Sequence, residues 1–230
     1  MKIIPVLDLL GGIVVRAVGG QRDDYRPLVS ALASSPAPED VAAGLLGLHP
    51  FQTFYIADLD AILGRGNNLG AAQALCARFP QVEFWLDAGA TAPQRSPWRT
   101  VVGSESLPKD TPPPDFSGEP EAILSLDFRG ADFLGPPELL SSSALWPRRV
   151  VVMTLARVGG NAGPDFDVLE GIVARAGGRE IFAAGGVRDA SDLAALGRLG
   201  ASGVLVASAL HDRRLQADEL AASIPWVEDA

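Results

Sequence analysis

Two segments of the 230-residue chain repeat one pattern about half a chain apart. Residues 4–12 read IPVLDLLGG and residues 123–131 read ILSLDFRGA, so each is an apolar run ending in Leu-Asp with a glycine three residues later. Such short runs are typical of strands that are buried on both faces, and each places its aspartate at the carboxyl end. The repeat indicates a duplicated architecture in which one aspartate from each half faces a shared opening.

Further short runs rich in Val, Ile, Leu and Phe alternate with Ala- and Leu-rich stretches at helical spacing, which is typical of parallel strands joined by helices. The eight expected strands are residues 2–8, 52–58, 82–87, 99–103, 121–127, 149–154, 180–184 and 203–207. Residues 38–46 and 189–200 read as helices, because both have acidic residues near their start and the second ends in glycine. We predict an α/β fold, a TIM (β/α)₈ barrel built from two half-barrel repeats.

The length suits one barrel domain over residues 1–230, with half-barrel repeats at roughly 1–118 and 119–230. An open doubly wound sheet is the alternative, but that fold usually has a Gly-rich turn after its first strand, where this chain has Asp8. Three consecutive prolines at 112–114 forbid a regular helix there, so we expect a loop over residues 108–120, between strands four and five.

Composition excludes several classes of partner. There are 19 basic and 28 acidic residues, a formal net charge of −9, which makes nucleic acid and anionic membranes unfavourable partners. The apolar runs are far shorter than the roughly 20 residues of a membrane span, and the N-terminus lacks the pattern of a secretory signal. We therefore expect a cytoplasmic protein without a membrane-spanning segment. The single cysteine, Cys76, lies in a helical pattern and is expected in the core.

The strand ends supply the candidate catalytic residues, because barrel enzymes react at the carboxyl ends of their strands. Asp8 and Asp127 end strands one and five, which lie opposite each other in an eight-stranded ring. Two facing carboxyls suit paired acid and base chemistry when their environments separate their pKa values. The alternative is that each aspartate caps a loop or pairs with Arg16 or Arg129.

A phosphate site is expected at the ends of strands seven and eight. Gly185 and Gly186 follow strand seven, and Ala207 and Ser208 precede a short helix after strand eight. Backbone N–H groups of a glycine turn and of a helix start bind phosphate. At the equivalent place in the first half, Asp87 and Glu105 bring negative charge, which disfavours a second phosphate.

Other polar residues allow two interpretations. Asp58 either orients a substrate hydroxyl or caps a loop. Four side chains in or near the loop after strand one either fold over an anionic ligand or stay solvated: Arg16, Arg22, Tyr25 and Arg26. His49 and His211 are not at metal-ligand spacing, so we expect no metal site.

The chain resembles the barrel family of histidine biosynthesis, which contains the ProFAR isomerase (HisA) and the cyclase subunit of imidazole glycerol phosphate synthase (HisF). The motifs that carry the resemblance are IPVLDL at 4–9, VVR at 14–16, DLDA at 58–61, SLD at 125–127, Thr154, AGGV at 184–187 and VLVASAL at 204–210. The resemblance implies the barrel fold and an Amadori rearrangement in which Asp8 and Asp127 act as acid and base. It also implies substrate or phosphate contacts from the following residues: Gly185, Gly186, Ala207, Ser208, Arg16, Thr154 and Asp58.

The chain departs from the family pattern at three places. Asp87-Ala88-Gly89 replaces the Gly-rich phosphate turn after strand three, Gly103-Ser104-Glu105 replaces the usual Gly-Thr, and Gly159-Gly160-Asn161 replaces Asp-Gly-Thr. The loop at 19–28 resembles a divergent branch described as related to ProFAR isomerase. Since ProFAR carries a phosphate at each end, these departures favour a substrate with a single phosphate.

Three functional hypotheses follow. The first is an isomerase of a phosphorylated sugar or aminosugar, without metal or redox cofactor. The second is a non-catalytic or repurposed paralogue that binds a single-phosphate metabolite, in a one-carbon cofactor pathway. The third is authentic ProFAR isomerisation, with the first phosphate held by Arg22, Arg26 or Arg95.

Overall fold

The fold is a closed barrel of eight parallel strands. The computed structural model describes residues 1–89, 97–119 and 121–222. Strands one to eight are Lys2–Leu10, Thr53–Asp58, Glu83–Asp87, Arg99–Gly103, Ile123–Arg129, Arg149–Thr154, Glu180–Ala184 and Gly203–Val206. Strand eight pairs with strand one, Lys2 opposite Gly203, which closes the ring. The predicted (β/α)₈ barrel is confirmed, and all eight expected strands are present within a few residues of their expected bounds.

Helices connect the strands on the outside of the barrel. They are Pro38–Leu48, Leu59–Ile62, Leu69–Arg78, Pro137–Ser141, Phe166–Val173, Ala190–Leu199, Ser208–His211 and Ala217–Ala222. Shorter 3₁₀ turns are Arg22–Asp24, Ser104–Ser106, Ser143–Leu145 and Leu155–Arg157. No helix of the described chain is long and apolar enough to cross a membrane.

Both helices expected from their end signals are present. The helix Ala190–Leu199 begins where the Asp189 carboxylate accepts hydrogen bonds from the Ser191 and Asp192 N–H groups, and it ends at Gly200 with φ of 99°. The helix Pro38–Leu48 begins with proline, whose missing N–H costs nothing in the first turn. Cys76, which was expected in the core, lies in the helix Leu69–Arg78 and is only half-buried, packed against the core.

The connection between strands four and five departs from the repeat. After the 3₁₀ turn Ser104–Ser106, the described residues up to 119 contain no helix, as the prolines predicted. Three short antiparallel strands supplement the barrel: Ile13–Arg16 pairs with strand one and with Arg26–Pro27, and Asp132–Phe133 pairs with strand five. Ile13–Arg16 and Arg26–Pro27 form a hairpin, and the loop between them lies at the barrel mouth.

The barrel interior is filled by alternate residues of each strand. Trp85 and Phe182, from the opposed strands three and seven, meet edge to face with ring centroids 4.9 Å apart. Along strand one the same alternation carries the inward series from buried Ile4 to Asp8 at the mouth, and along strand five from Ile123 to Asp127. The apolar interior therefore forms a dry floor beneath the carboxylates.

Candidate active site

A cleft opens at the carboxyl ends of the strands, above the aromatic floor. Asp8 and Asp127 both line it, from opposite sides of the ring. The cleft is also lined by Gly185 and Gly186 after strand seven and by Ser208 after strand eight. The structure thus brings the two aspartates and the expected phosphate turns into one cavity.

Asp127 is buried and held by donors from its own strand and from the turn after strand four. The Ser125 hydroxyl donates to its Oδ1 at 2.6 Å, and the Glu105 N–H donates to its Oδ2 at 3.0 Å. Its own N–H donates to the Ser104 hydroxyl at 2.9 Å, which ties strand five to the end of strand four. Burial, followed by the negative charge of Asp87, raises the pKa of Asp127 to about 8. The Asp127 carboxyl is therefore mainly protonated at neutral pH.

Asp8 has a different environment. It is half-buried and open to the cleft, and within the described part of the chain its carboxylate accepts no hydrogen bond. Burial raises its pKa to about 7, and the nearby Arg22 guanidinium acts in the opposite direction. Asp8 therefore exchanges its proton near neutrality and faces the open cleft directly.

Asp87 also lines the cleft. The Tyr55 hydroxyl donates to its Oδ2 at 3.0 Å, and the Gly89 N–H donates to its Oδ1 at 3.0 Å. Burial raises the pKa of Asp87 to about 6, and these two hydrogen bonds oppose the shift. A third carboxyl thus belongs to the site.

Sequence reasoning overlooked the side chains that hold these carboxyls. Tyr55 and Ser125 are fully buried on strands two and five. Each is a polar side chain at an inward position between apolar neighbours on its strand, two residues from another cleft-lining residue. That alternation was the available signal, since buried polar groups need hydrogen-bond partners.

The loop after strand one folds over the mouth. Arg22 reaches Glu105 across the opening at 2.5 Å. Tyr25 is buried near Asp8, and burial, followed by the charge of Asp8, raises the pKa of the Tyr25 phenol to about 12. The loop is anchored on the far side, where the Gly19 N–H donates to the Val158 carbonyl at 2.7 Å. Of the two interpretations of this loop, the structure shows Arg22 and Tyr25 folded inward over the cleft.

The glycines after strand seven are required by close backbone approach. Gly185 has φ of 102°, and an added Cβ would lie 2.7 Å from the Thr154 carbonyl oxygen. Gly186 has φ of 84°, and its Cβ would lie 2.3 Å from the Gly163 carbonyl oxygen. Thr154 is itself buried and donates its hydroxyl to the Ala184 carbonyl, so it supports strand seven beneath this turn.

Two expected substrate contacts lie outside the cleft. Asp58 is fully buried and caps the helix Leu59–Ile62, accepting from the Ala61 N–H and from the backbone and side-chain N–H groups of Asn68. Of its two interpretations, the structure shows loop capping. Arg16 pairs with Asp212 at 2.7 Å on the rim, so its charge is already engaged. Neither is among the cleft residues.

The arginines considered for a first-half phosphate are placed differently. Arg22 is at the cleft but is engaged by Glu105. Arg26 donates to the backbone carbonyls of Asp23 and Tyr25 on the loop surface. Arg95 lies outside the described residues.

Known proteins resemble this chain in part or over nearly its whole length. The sequence profile of the histidine biosynthesis protein family matches residues 142–216, which include strands six to eight and their turns. An uncharacterized protein of Methanocaldococcus jannaschii is 27% identical over 96% of this chain and 97% of its own length.

Two isomerases are also similar over nearly the whole chain. The 1-(5-phosphoribosyl)-5-((5-phosphoribosylamino)methylideneamino)imidazole-4-carboxamide isomerase of Myxococcus xanthus, a ProFAR isomerase, is 26% identical over 96% of this chain and 98% of its own length. The Thermus thermophilus enzyme of the same name is 28% identical over 95% of this chain and 98% of its own length. The chain is thus similar to the histidine biosynthesis protein family over residues 142–216 and to these isomerases over nearly its whole length.

Proposed function

We propose that this protein is an isomerase that converts a phosphorylated aminoaldose into an aminoketose by acid and base catalysis at Asp127 and Asp8. The observation that carries the proposal is the pair of carboxyls on opposite strands of one cleft, both with pKa values raised into the neutral range. Carboxyls tuned in this way exchange protons at the pH where the enzyme works. The named isomerases among its relatives support the reaction class.

The different environments of the two carboxyls support a division of labour. Asp127, with a pKa of about 8, holds a proton at neutral pH and acts as the acid on the ring oxygen as the C1–O bond breaks. The product of that step is an open-chain iminium. Asp8, open to the cleft, removes the proton from C2, and the C–H electron pair forms the C1=C2 bond while neutralising the nitrogen. Tautomerisation of this enaminol gives the ketose.

The phosphate of the substrate is proposed to bind at Gly185, Gly186, Ala207 and Ser208. All four residues line the cleft on the side away from Asp87 and Glu105. N–H groups in the first turn of a helix have no partner within that helix, and a glycine turn lets a ligand approach its backbone closely. The opposite side carries two carboxylates and repels a second phosphate. A substrate with one phosphate therefore fits better than ProFAR.

A binding role without turnover is the second candidate. It is favoured by one observation: Glu105 engages Arg22, the cation that lines the cleft among the described residues. A protein that only binds a phosphorylated metabolite needs the phosphate turns but not the aspartate pair. The two roles are therefore separated by turnover.

The test is an isomerisation assay with purified full-length protein on ProFAR and on aminoaldose monophosphates, with ketose formation followed by NMR. Asp8→Asn and Asp127→Asn are each expected to lower kcat by about 10²- to 10⁴-fold. The control, Asp167→Asn, changes an exposed aspartate of an outer helix and should retain full activity. Undiminished turnover in both site variants would refute the acid and base assignment. Saturable phosphate-ester binding without turnover would favour the binding role.

A further inference from the structure

Asp87 and Asp127 approach each other across a glycine on the strand between them. An ideal Cβ on Gly103 would lie 3.2 Å from Oδ2 of Asp127 and 3.4 Å from Oδ2 of Asp87. Gly103 has φ of −75°, a conformation open to any residue, so backbone strain does not require glycine there. The space that a side chain would fill is the space into which both carboxyls reach.

The hydrogen bonds of each carboxyl hold it in that space. Oδ1 of Asp87 accepts from the Gly89 N–H, while its Oδ2, on the Gly103 side, accepts from the Tyr55 hydroxyl. Oδ1 of Asp127 accepts from Ser125, while its Oδ2, also on the Gly103 side, accepts from the Glu105 N–H. The two Oδ2 atoms are therefore both fixed above Gly103.

The remaining charges around the pair do not neutralise it. Glu105, beside strand four, adds negative charge, and Asp8 faces the same cleft from strand one. Arg22, from the loop after strand one, is the facing cation and is bonded to Glu105. In the described chain no salt bridge reaches Asp87 or Asp127, and two buried carboxylates without a counter-ion resist ionising together.

We propose that Asp87 and Asp127 titrate as one pair across Gly103 that keeps a single proton around neutral pH, with Asp87 acting as a positioning residue for the proton on Asp127. Its meaning for catalysis rests on the proposed isomerase function, but the shared titration is a property of the free protein. Asp87, in the first half, then serves to keep the Asp127 carboxyl of the second half protonated.

The test is a ¹³C NMR titration of the aspartate carboxyl carbons in the ligand-free, full-length protein. In the unaltered protein, the Asp87 and Asp127 signals should each show two steps, near pH 6 and pH 8. Asp87→Asn should leave Asp127 with one step that is at least about one pH unit lower, because its charged neighbour is gone. Asp127→Asn should remove the upper step from the Asp87 signal.

The matched control is Asp8→Asn, which removes a carboxyl from the same cleft but not from above Gly103. It should shift the upper step by less than half as much as Asp87→Asn. If Asp127 titrates in one step at the same pH with Asp or Asn at position 87, the pair does not exist. Should Asp87→Asn fail to fold, a single-step Asp87 signal in the unaltered protein overturns the proposal equally. None of these NMR titrations uses a substrate, so the test of the shared titration does not depend on the outcome of the isomerase assay.

Discussion

The ends of strands three and four and the ends of strands seven and eight occupy equivalent places in the two halves but present opposite chemistry. In one half the strand ends run Trp85-Leu86-Asp87-Ala88-Gly89; in the other they run Phe182-Ala183-Ala184-Gly185-Gly186. The two aromatic residues even meet in the barrel centre. At the strand end itself, Asp87 stands where the second half has Ala184, and Ala88 stands where it has Gly185, so the first half presents a carboxyl where the second presents a glycine turn.

The serines after strands four and eight show the same divergence. Ser104 is fully buried, and its hydroxyl accepts from the Asp127 N–H and donates to the Leu134 carbonyl. Ser208, at the equivalent place, is half-buried and lines the cleft. The two equivalent serines thus differ: Ser104 is buried and supports the strand that carries Asp127, while Ser208 faces the cleft, where the phosphate is proposed to bind.

The largest expected difference between the halves concerns their turn glycines. Gly186→Ala should destabilise the fold by about 3–4 kcal/mol, since left-handed backbone and a Cβ 2.3 Å from the Gly163 oxygen both oppose it. Gly89→Ala should cost only about 1–2 kcal/mol, because its Cβ finds its nearest atoms at 3.4 Å. Urea unfolding of both variants measures this. Equal losses would mean that the two turns are equally constrained.

The next effect concerns phosphate binding. Ser208→Glu places a carboxylate in the proposed cradle and should weaken binding of ribose 5-phosphate by about a hundredfold, by like-charge repulsion. An acidic residue in the first turn of a helix favours folding, so stability should not fall. Ser106→Glu, the same change in the first half, is the matched control in calorimetric titrations. If the control weakens binding as much as Ser208→Glu does, the phosphate is not confined to the second half.

The carboxyl cluster should make the protein less stable as pH rises from 6.5 to 8. The folded pKa values of Asp8 and Asp127, about 7 and 8, lie above their unfolded values near 3.8, so the folded protein binds more protons than the unfolded chain. This difference stabilises the fold at low pH, and the stabilisation is lost as the two carboxyls ionise. His211, with a folded pKa of about 4, acts oppositely but only below pH 6.5.

In the unaltered protein, ionisation of Asp127 should lower the free energy of unfolding by about 1–2 kcal/mol between pH 6.5 and pH 8, and Asp127→Asn should abolish that decrease. Urea unfolding at pH 6.5 and pH 8.0, for the unaltered protein and the variant, gives the two slopes. A variant slope as steep as the original would show that Asp127 is not protonated in the fold.

The smallest effect concerns the two ion pairs that tie the segment after strand one to each half. A double-mutant cycle on Arg22 and Glu105 should give a coupling of about 1 kcal/mol, because both side chains are mostly buried. The Arg16 and Asp212 pair, which is more exposed and joins the second half, should give about 0.5 kcal/mol or less. A larger coupling for the exposed pair would reverse this order.

Local patterns predicted the barrel because strands and helices leave periodic signals in a short window. The capped helix at Ala190–Leu199 and the proline-rich loop before strand five are examples. The roles of Asp58 and Arg16 did not follow in the same way, since the sequence pattern of Asp58 fits either a loop cap or a substrate contact and Arg16 depends on a partner 196 residues away. Asn68 satisfies Asp58, and Asp212 engages Arg16. The half-repeat boundary near residue 118 remains a prediction.

The sequence by itself determined that eight buried strands would carry Asp8 and Asp127 to one end of a barrel, because strand periodicity and strand ends are local properties. Only the tertiary structure decided which polar groups meet there. Asp87 and Asp127 lie close together because Gly103, between them, has no side chain to occupy that space. Tyr55 donates a hydrogen bond to Asp87 from a neighbouring strand. Burial of those groups together raises their pKa values, and burial is a property that no single segment possesses.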